Sequence, residues 1–237
     1  MAGERTLKAF REYMECRVRE ELALRGSDRA SAPFITISRQ TGAWGLTIAE
    51  EIVRFLNDRS GPQGCPWVLM DKQLTAQVIA EHGLPEKLER YLGERHVSEL
   101  SDLLDEVLGT RPPTLVLVRR TSETILRLAR AGHVVLVGRG AHLVTAKVRG
   151  GYHVRLIGSM ALRRRHVMDH YGYDAERAEA FIRQEDDGRA DYVKRNFSVD
   201  INDPLRYDLV LNTDRTPAAE AARIIAEAAL RRAGAEG

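Results

Sequence analysis

The chain has 237 residues, of which 43% are hydrophobic and 30% are charged, and its formal net charge is +2. This length can bury one substantial core, as a single domain or a domain with a small insertion. Aromatic residues form only 6% of the chain and are not interleaved with the basic ones, which argues against a nucleic-acid-binding module. The longest apolar runs, such as 134–137, have the length of a strand, so we expect no membrane span.

The two cysteines, Cys16 and Cys65, have neither the spacing of metal ligands nor a CxxC motif. The first residues do not form an apolar segment of the kind found in signal peptides. We therefore expect a soluble cytoplasmic protein in a reducing environment.

Residues 5–25 are predicted to form a helix, because apolar side chains recur at steps of three and four from Leu7 to Leu22. Residues 26–33 follow as a linker rich in small residues. We favour a helix that packs on its own domain. The alternative is a surface for homo-oligomerisation or for a partner.

After the linker, strand candidates alternate with helical patterns. The strand candidates are 34–38, 67–70, 133–138, 152–157 and 207–212, and helices are expected near 46–57, 72–82, 117–131, 160–171, 175–196 and 217–232. Apolar strands that alternate with helices indicate a parallel sheet covered on both faces. Residues 84–116 contain no clear strand, so we expect a helical insertion there.

The turn between the first strand and the next helix has the setting of a phosphate-binding loop. Such a loop presents backbone N–H groups, together with the positive end of the helix dipole, to phosphate oxygens. The pattern GxxxxGK[ST] is not met, because Arg39, Trp44 and Gly45 stand at its first glycine, last glycine and lysine. Thr47 occupies the hydroxyl position that can help to hold magnesium. The alternative is an ordinary strand-turn-helix connection.

Two charged residues follow strands at the same predicted edge of the sheet. Asp71 comes after the second strand and Arg139, flanked by Gly138 and Gly140, comes after the third. Ligands of open parallel sheets bind at the carboxyl ends of the strands, and a guanidinium suits bidentate phosphate contact. The alternative for Asp71 is that it caps the N-terminus of the next helix. The alternatives for Arg139 are a surface position or an ion pair with Asp71.

The helical segment 184–195 is dense in charge and carries Arg189, Lys194 and Arg195. A mobile lid with these cations could stabilise a transferring phosphoryl group. The alternative is a solvated helix with i,i+4 pairs such as Asp191 with Arg195. The run 163–165 of three arginines has the same ambiguity, and there we favour a solvated face with at most one functional arginine.

Together these segments resemble the cytidylate kinase-like family, a branch of the P-loop nucleoside monophosphate kinases. The resemblance covers about 34–225, and the pieces that carry it are 35–40, 71–74, 137–141, 187–192 and 207–213. It implies a three-layer α/β sandwich of the P-loop NTPase type with a five-stranded parallel sheet. In this chain we expect an N-terminal helix and linker over 1–32 and a nucleotide kinase-like domain over 33–237. A helical monophosphate-binding insertion at 84–116 and a short lid at 184–203 would belong to that domain.

The resemblance also implies roles for individual residues. The donor phosphates would be held by Thr41, Gly42, Ala43, Gly45 and Thr47. Asp71, Arg139 and Asp191 would face the acceptor. The catalytic cations would be Arg39, Arg139, Arg189 and Lys194, and Thr47 and Asp71 would contact magnesium.

The function that the resemblance implies is an ATP- and Mg²⁺-dependent kinase, which transfers the γ-phosphoryl group to a pyrimidine nucleoside monophosphate. In this chain the loop lysine is missing, and Arg39 could supply a cation from the other end of the loop. One alternative is a nucleotide-binding or regulatory protein that has lost phosphoryl transfer. Another is a P-loop kinase for a different small acceptor.

Overall fold

A computed structural model describes residues 2–23, 32–60, 64–71 and 115–235. The predicted helix at 72–82 and nearly all of the predicted insertion at 84–116 lie outside these ranges.

The described part of the chain contains a five-stranded sheet. Its strands are β1 (Phe34–Arg39), β2 (Val68–Met70), β3 (Val134–Val137), β4 (Gly151–Ile157) and β5 (Leu209–Asn212). All neighbours pair in parallel, in the order β2-β3-β1-β4-β5. The helices are α1 (Ala2–Ala23), α2 (Gly45–Ser60), α3 (Leu115–Ala131), α4 (Ala141–Val144), α5 (Met160–Tyr171), α6 (Ala175–Phe197) and α7 (Ala218–Ala235), with a 3₁₀ turn at Pro204–Arg206.

Side chains of the central strands alternate between two cores. Phe34 and Val134 pack on one face of the sheet, where α1, α3 and α4 lie. Ile35 and Val135 pack on the opposite face, which α2 and α7 cover. This alternation follows from the two-residue period of a strand. The predicted three-layer α/β sandwich with a five-stranded parallel sheet is therefore confirmed.

Helix α1 packs on its own domain, as we favoured from the sequence. Phe10 and Tyr13 are buried in the same core as Phe34. The hydroxyl of Tyr13 donates a hydrogen bond to the carbonyl oxygen of Gly132 at 2.7 Å. Phe10 and Tyr13, on the apolar face of α1, therefore pack against other residues of the same chain. Oligomerisation through α1 stays a prediction.

A disulfide between Cys16 and Cys65 joins α1 to the segment before β2. Disulfides are rare in reducing compartments, so this bond does not fit the expectation of a reducing environment. The cytoplasmic location itself stays a prediction.

The disulfide is expected to stabilise the fold, because its half-cystines lie 49 positions apart and the bond restricts the unfolded chain. A loop of this length corresponds to about 4 kcal/mol of unfolding free energy in the chain-entropy treatment. We therefore expect Cys16→Ser to lower the urea midpoint strongly, and wild-type protein in reductant to match the variant. Equal unfolding free energies with and without reductant would contradict this role.

Helices α5 and α6 form a hairpin with a small core of its own, made by Val167, Ala178 and Ile182. The Asp174 side chain caps α6 by accepting a hydrogen bond from the backbone N–H of Arg177 at 2.8 Å. The hairpin lies beside the carboxyl ends of β1 and β4, where the predicted phosphate loop begins.

Among the helices in the described ranges, none has the length and apolar character needed to span a membrane.

Candidate active site

The loop between β1 and α2 is held tightly against α5. Gly42 has φ of +79°, and a Cβ there would lie 2.5 Å from the carbonyl oxygen of Arg163. Glycine is therefore required at this position by both conformation and space. His166 of α5 contributes a further contact, because its Nδ1 lies 3.0 Å from the carbonyl oxygen of Gly42.

Trp44 adopts the left-handed conformation, with φ of 56°, at the position where the loop pattern has its last glycine. This conformation costs a residue with a Cβ about 1–2 kcal/mol. The indole stacks on the imidazole of His166, with ring centroids 3.7 Å apart and planes 10° apart. Its ring therefore lies on the α5 side of the loop.

Arg39 extends from the start of the loop toward the end of β3. Its stem passes over Gly45, where an added Cβ would lie 2.6 Å from Cγ of Arg39, and its guanidinium passes over Gly138. Burial is the main cause that lowers the pKa of Arg39 to about 10; nearby Arg189 and Arg139 act in the same direction, and Asp71 and Glu185 oppose them. Arg39 thus remains a cation at neutral pH in a site that disfavours cations.

Arg139 projects from a sharp turn after β3. Gly138, Arg139 and Gly140 have φ of 86°, 56° and 68°, so three successive residues are left-handed. A Cβ on Gly140 would lie 2.6 Å from the ring of Phe197. The glycines flanking Arg139 thus allow both the turn and the close approach of α6.

A cavity of about 330 Å³ lies between the ends of β1 and β3 and helix α6. The charged side chains in its wall are those of Arg39, Arg139, Arg189 and Glu185. His142 also lines it, and burial lowers the pKa of that imidazole to about 3. The cavity therefore combines three guanidinium groups with one carboxylate and a neutral histidine, and this excess of positive charge suits an anionic ligand.

The other predicted loop and metal residues are not among those that line this cavity. Ala43 is buried. Thr47, in the first turn of α2, lines a separate cavity of about 290 Å³ together with Trp44 and Pro217. Asp71 follows β2 and lies close enough to Arg39 to raise its pKa. The magnesium role of Thr47 and Asp71 stays a prediction.

Only one of the predicted lid residues reaches the loop. Nη1 of Arg189 donates to the Thr41 hydroxyl, while Nη2 donates to Glu185 at 3.1 Å. Lys194 lies on the exposed side of α6. Asp191 is also exposed and pairs with Arg195 at 3.2 Å, which is the i,i+4 pair of the solvated-helix alternative. The structure therefore does not bring Lys194 or Asp191 to the cavity with Arg189.

Sequence reasoning missed Asp186 and the burial of Arg163. Asp186 accepts hydrogen bonds from the backbone N–H and the hydroxyl of Thr41, at 2.7 and 2.8 Å. Arg163 is only 6% exposed, and its Nη1 donates to Asp186 at 2.6 Å. Arg163 shares its helix face with Val167, four positions on, and both are buried. The helical period could therefore have separated Arg163 from the solvated arginines next to it.

A further buried arginine anchors the end of β1. Arg155 of β4 donates to the hydroxyl oxygen of Ser38 and to the side-chain carbonyl of Asn202, both at 2.8 Å. Asn202 belongs to the segment after α6. Arg155 therefore ties that segment to the strand that carries the loop.

Solved structures similar to this chain include the following three. A structure of an uncharacterized protein from Eubacterium ventriosum superposes with a TM-score of 0.62 at 18% identity, over 84% of this chain and 99% of that chain. Shikimate kinase from Bacteroides thetaiotaomicron gives a TM-score of 0.43 at 16% identity, over 83% and 97%. TT1252 from Thermus thermophilus gives 0.42 at 17% identity, over 84% and 97%.

The likeness to the Eubacterium ventriosum protein shows the fold alone. The comparison with curated proteins gave no match. The sequence profile of the cytidylate kinase-like family matches residues 34–215, which include every strand of the sheet and the loop. The chain belongs to the cytidylate kinase-like family.

Proposed function

We propose that this protein is a nucleotide kinase of the cytidylate kinase type, which transfers the γ-phosphoryl group of ATP to a pyrimidine nucleoside monophosphate. The observation that carries the proposal is the convergence of Arg39, Arg139 and Arg189 on one cavity beside the loop. Phosphoryl transfer is catalysed mainly by positioning and by cations around the transferring group. The family relationship supports a nucleotide kinase in general, and the pyrimidine acceptor is the finer part of the proposal.

Each arginine would have a distinct task in this reaction. Arg39 lies at the start of the loop. It would supply the positive charge that is missing from the loop because Gly45 stands in the place of the usual lysine. Arg139 extends from a rigid turn and would hold the acceptor phosphate by bidentate contact. Arg189 reaches the loop from α6, so it would join the donor to the helical lid and help to exclude water.

One hard oxygen donor suited to magnesium, the Asp71 carboxylate, lies near Arg39, whereas Thr47 lines a separate cavity. Mg²⁺ is commonly held by one or two protein oxygens together with substrate phosphates and water. Asp71 would hold the ion, which would neutralise charge on the donor phosphates when bound. The transfer would involve no covalent intermediate on the protein.

A second candidate function is nucleotide binding without transfer. The observation that favours it is the carboxylate of Asp186 on the loop, together with the glycine at position 45. A protein of this kind would bind ATP and change the position of α6 without producing ADP. Because both candidates use the same loop, ATP binding alone cannot separate them.

The experiment is calorimetry with Mg-ATP, followed by a coupled assay of ADP formation with a panel of monophosphates. The proposed kinase should bind Mg-ATP and form ADP fastest with CMP or dCMP. ADP formation only with another small acceptor would leave a kinase but contradict the pyrimidine assignment. ATP binding without ADP formation would favour the regulatory function, and no ATP binding at millimolar concentration would contradict both.

A further inference from the structure

The Asp186 carboxylate is surrounded by four hydrogen-bond donors. The backbone N–H and hydroxyl of Thr41 donate to Oδ1 at 2.7 and 2.8 Å. Nη1 of Arg163 donates to Oδ2 at 2.6 Å, and Nη1 of Arg189 to Oδ1 at 3.1 Å. A loop N–H, a hydroxyl and two guanidinium groups are donors that also bind phosphate oxygens.

The donors on the loop side are fixed independently of Asp186. Thr41 and Arg163 are 8% and 6% exposed. Nε of Arg163 donates to the carbonyl oxygen of Gly158 at 3.0 Å, and its Nη1 also lies 3.3 Å from the carbonyl oxygen of Thr41. Asp186, by contrast, comes from the lid helix α6. Movement of α6 away from the loop would therefore withdraw Asp186 and Arg189 but leave the Thr41 and Arg163 donors in place.

We propose that Thr41, Arg163 and Arg189 form a phosphate site that Asp186 occupies in the free protein, so that a phosphorylated ligand must displace this carboxylate to bind. The ligand class is a pyrophosphate-containing compound such as a nucleoside di- or triphosphate. The inference rests on the proposed function only in that the loop binds phosphate. Displacement would also separate Arg163 from the Asp186 carboxylate, while Arg189 would keep its ion pair with Glu185.

The proposal has a thermodynamic consequence that can be measured. If the site is filled by an internal anion, the observed affinity for an external anion is reduced by the fraction of molecules in which the site is open. Removing the charge of Asp186 should therefore strengthen phosphate binding. If Asp186 instead supports ligand binding as part of a permanent link between loop and helix, its removal should weaken binding or leave it unchanged.

The test is calorimetry with inorganic pyrophosphate, with and without Mg²⁺, on wild type, Asp186→Asn and the control Asp187→Asn. Asparagine keeps an acceptor for the Thr41 N–H but carries no charge. We expect Asp186→Asn to bind pyrophosphate at least tenfold more tightly. Asp187 is adjacent and exposed, so Asp187→Asn should remain within twofold of wild type.

Unfolding must be monitored in parallel, because Asp186→Asn leaves the buried Arg163 without this counter-charge. Asp186→Ser, which removes the same charge with a smaller side chain, is the second variant and should show the same gain. A folded variant of either kind that binds pyrophosphate no more tightly than wild type would overturn the proposal. Because the readout is binding, a gain without any kinase turnover would support the phosphate site while contradicting the proposed reaction.

Discussion

Arg139→Ala is expected to lower kcat with Mg-ATP and CMP more than a hundredfold while leaving the fold intact. Loss of one group that stabilises transition-state charge typically costs a factor of 10² to 10³. Arg139 lies in the wall of the cavity between β3 and α6, on a turn whose left-handed backbone is shared by the flanking glycines. Its side chain can be shortened without a change in that turn. The measurement is steady-state kinetics together with a thermal unfolding curve.

Two further variants make the Arg139 result specific. Arg139→Lys keeps the charge but loses the planar fork, so it should recover only part of the lost turnover. Arg223→Ala removes an exposed arginine of α7 that pairs with Glu227 at 3.8 Å, and it should retain wild-type kinetics. Unchanged turnover in Arg139→Ala would remove the assignment of this residue as a catalytic cation.

Arg39→Met is expected to abolish most activity and, at the same time, to raise the unfolding free energy. Burial lowers the pKa of Arg39 to about 10, well below its ordinary value, so the folded protein disfavours the charged form. Methionine retains much of the stem that packs over Gly45 but carries no charge. We expect a gain of about 1–3 kcal/mol in unfolding free energy at neutral pH, with at least a hundredfold loss of kcat.

The pH dependence tests the physical origin of this gain. Because the folded pKa of Arg39 lies below its unfolded value, the cost of the buried cation is fully present below about pH 10. That cost disappears as the pH rises from about 10 toward the higher pKa of Arg39 in the unfolded chain. The difference in unfolding free energy between Arg39→Met and wild type should therefore be constant from pH 6 to 9 and shrink above pH 10. A variant less stable than wild type would show that Arg39 is favourable to the fold.

Much of the architecture could be read from local patterns. Apolar strands such as 134–137 and the helical periods predicted the parallel sheet and six of the helices in the described ranges to within a few residues. The glycines that flank Arg139 were visible in the sequence, and the structure places the ring of Phe197 against Gly140. These features depend on short-range stereochemistry, which a single sequence displays directly.

The assignments in the lid were harder, because a charged helix has the same pattern whether it faces solvent or a ligand. Arg189 and Lys194 carry the same charge on the same helix, yet only Arg189 reaches the loop. Arg163 and Arg164 are adjacent, yet Arg163 is buried against Asp186 and Arg164 pairs with Glu179 at 3.2 Å. The direction in which each side chain points depends on how the α5–α6 hairpin sits on the sheet.

The amino-acid sequence alone predicted the strand-loop-helix unit at 34–60 and the charged residues at the strand ends. It also showed the resemblance to a kinase family. The tertiary structure determined which cations meet at the cavity. It also determined that a disulfide joins Cys16 to Cys65 and that Asp186 contacts the loop. The physical reason is that the burial of a charge and its partner depend on contacts between distant segments. Asp186 and Thr41 are 145 positions apart, a separation that no local period encodes.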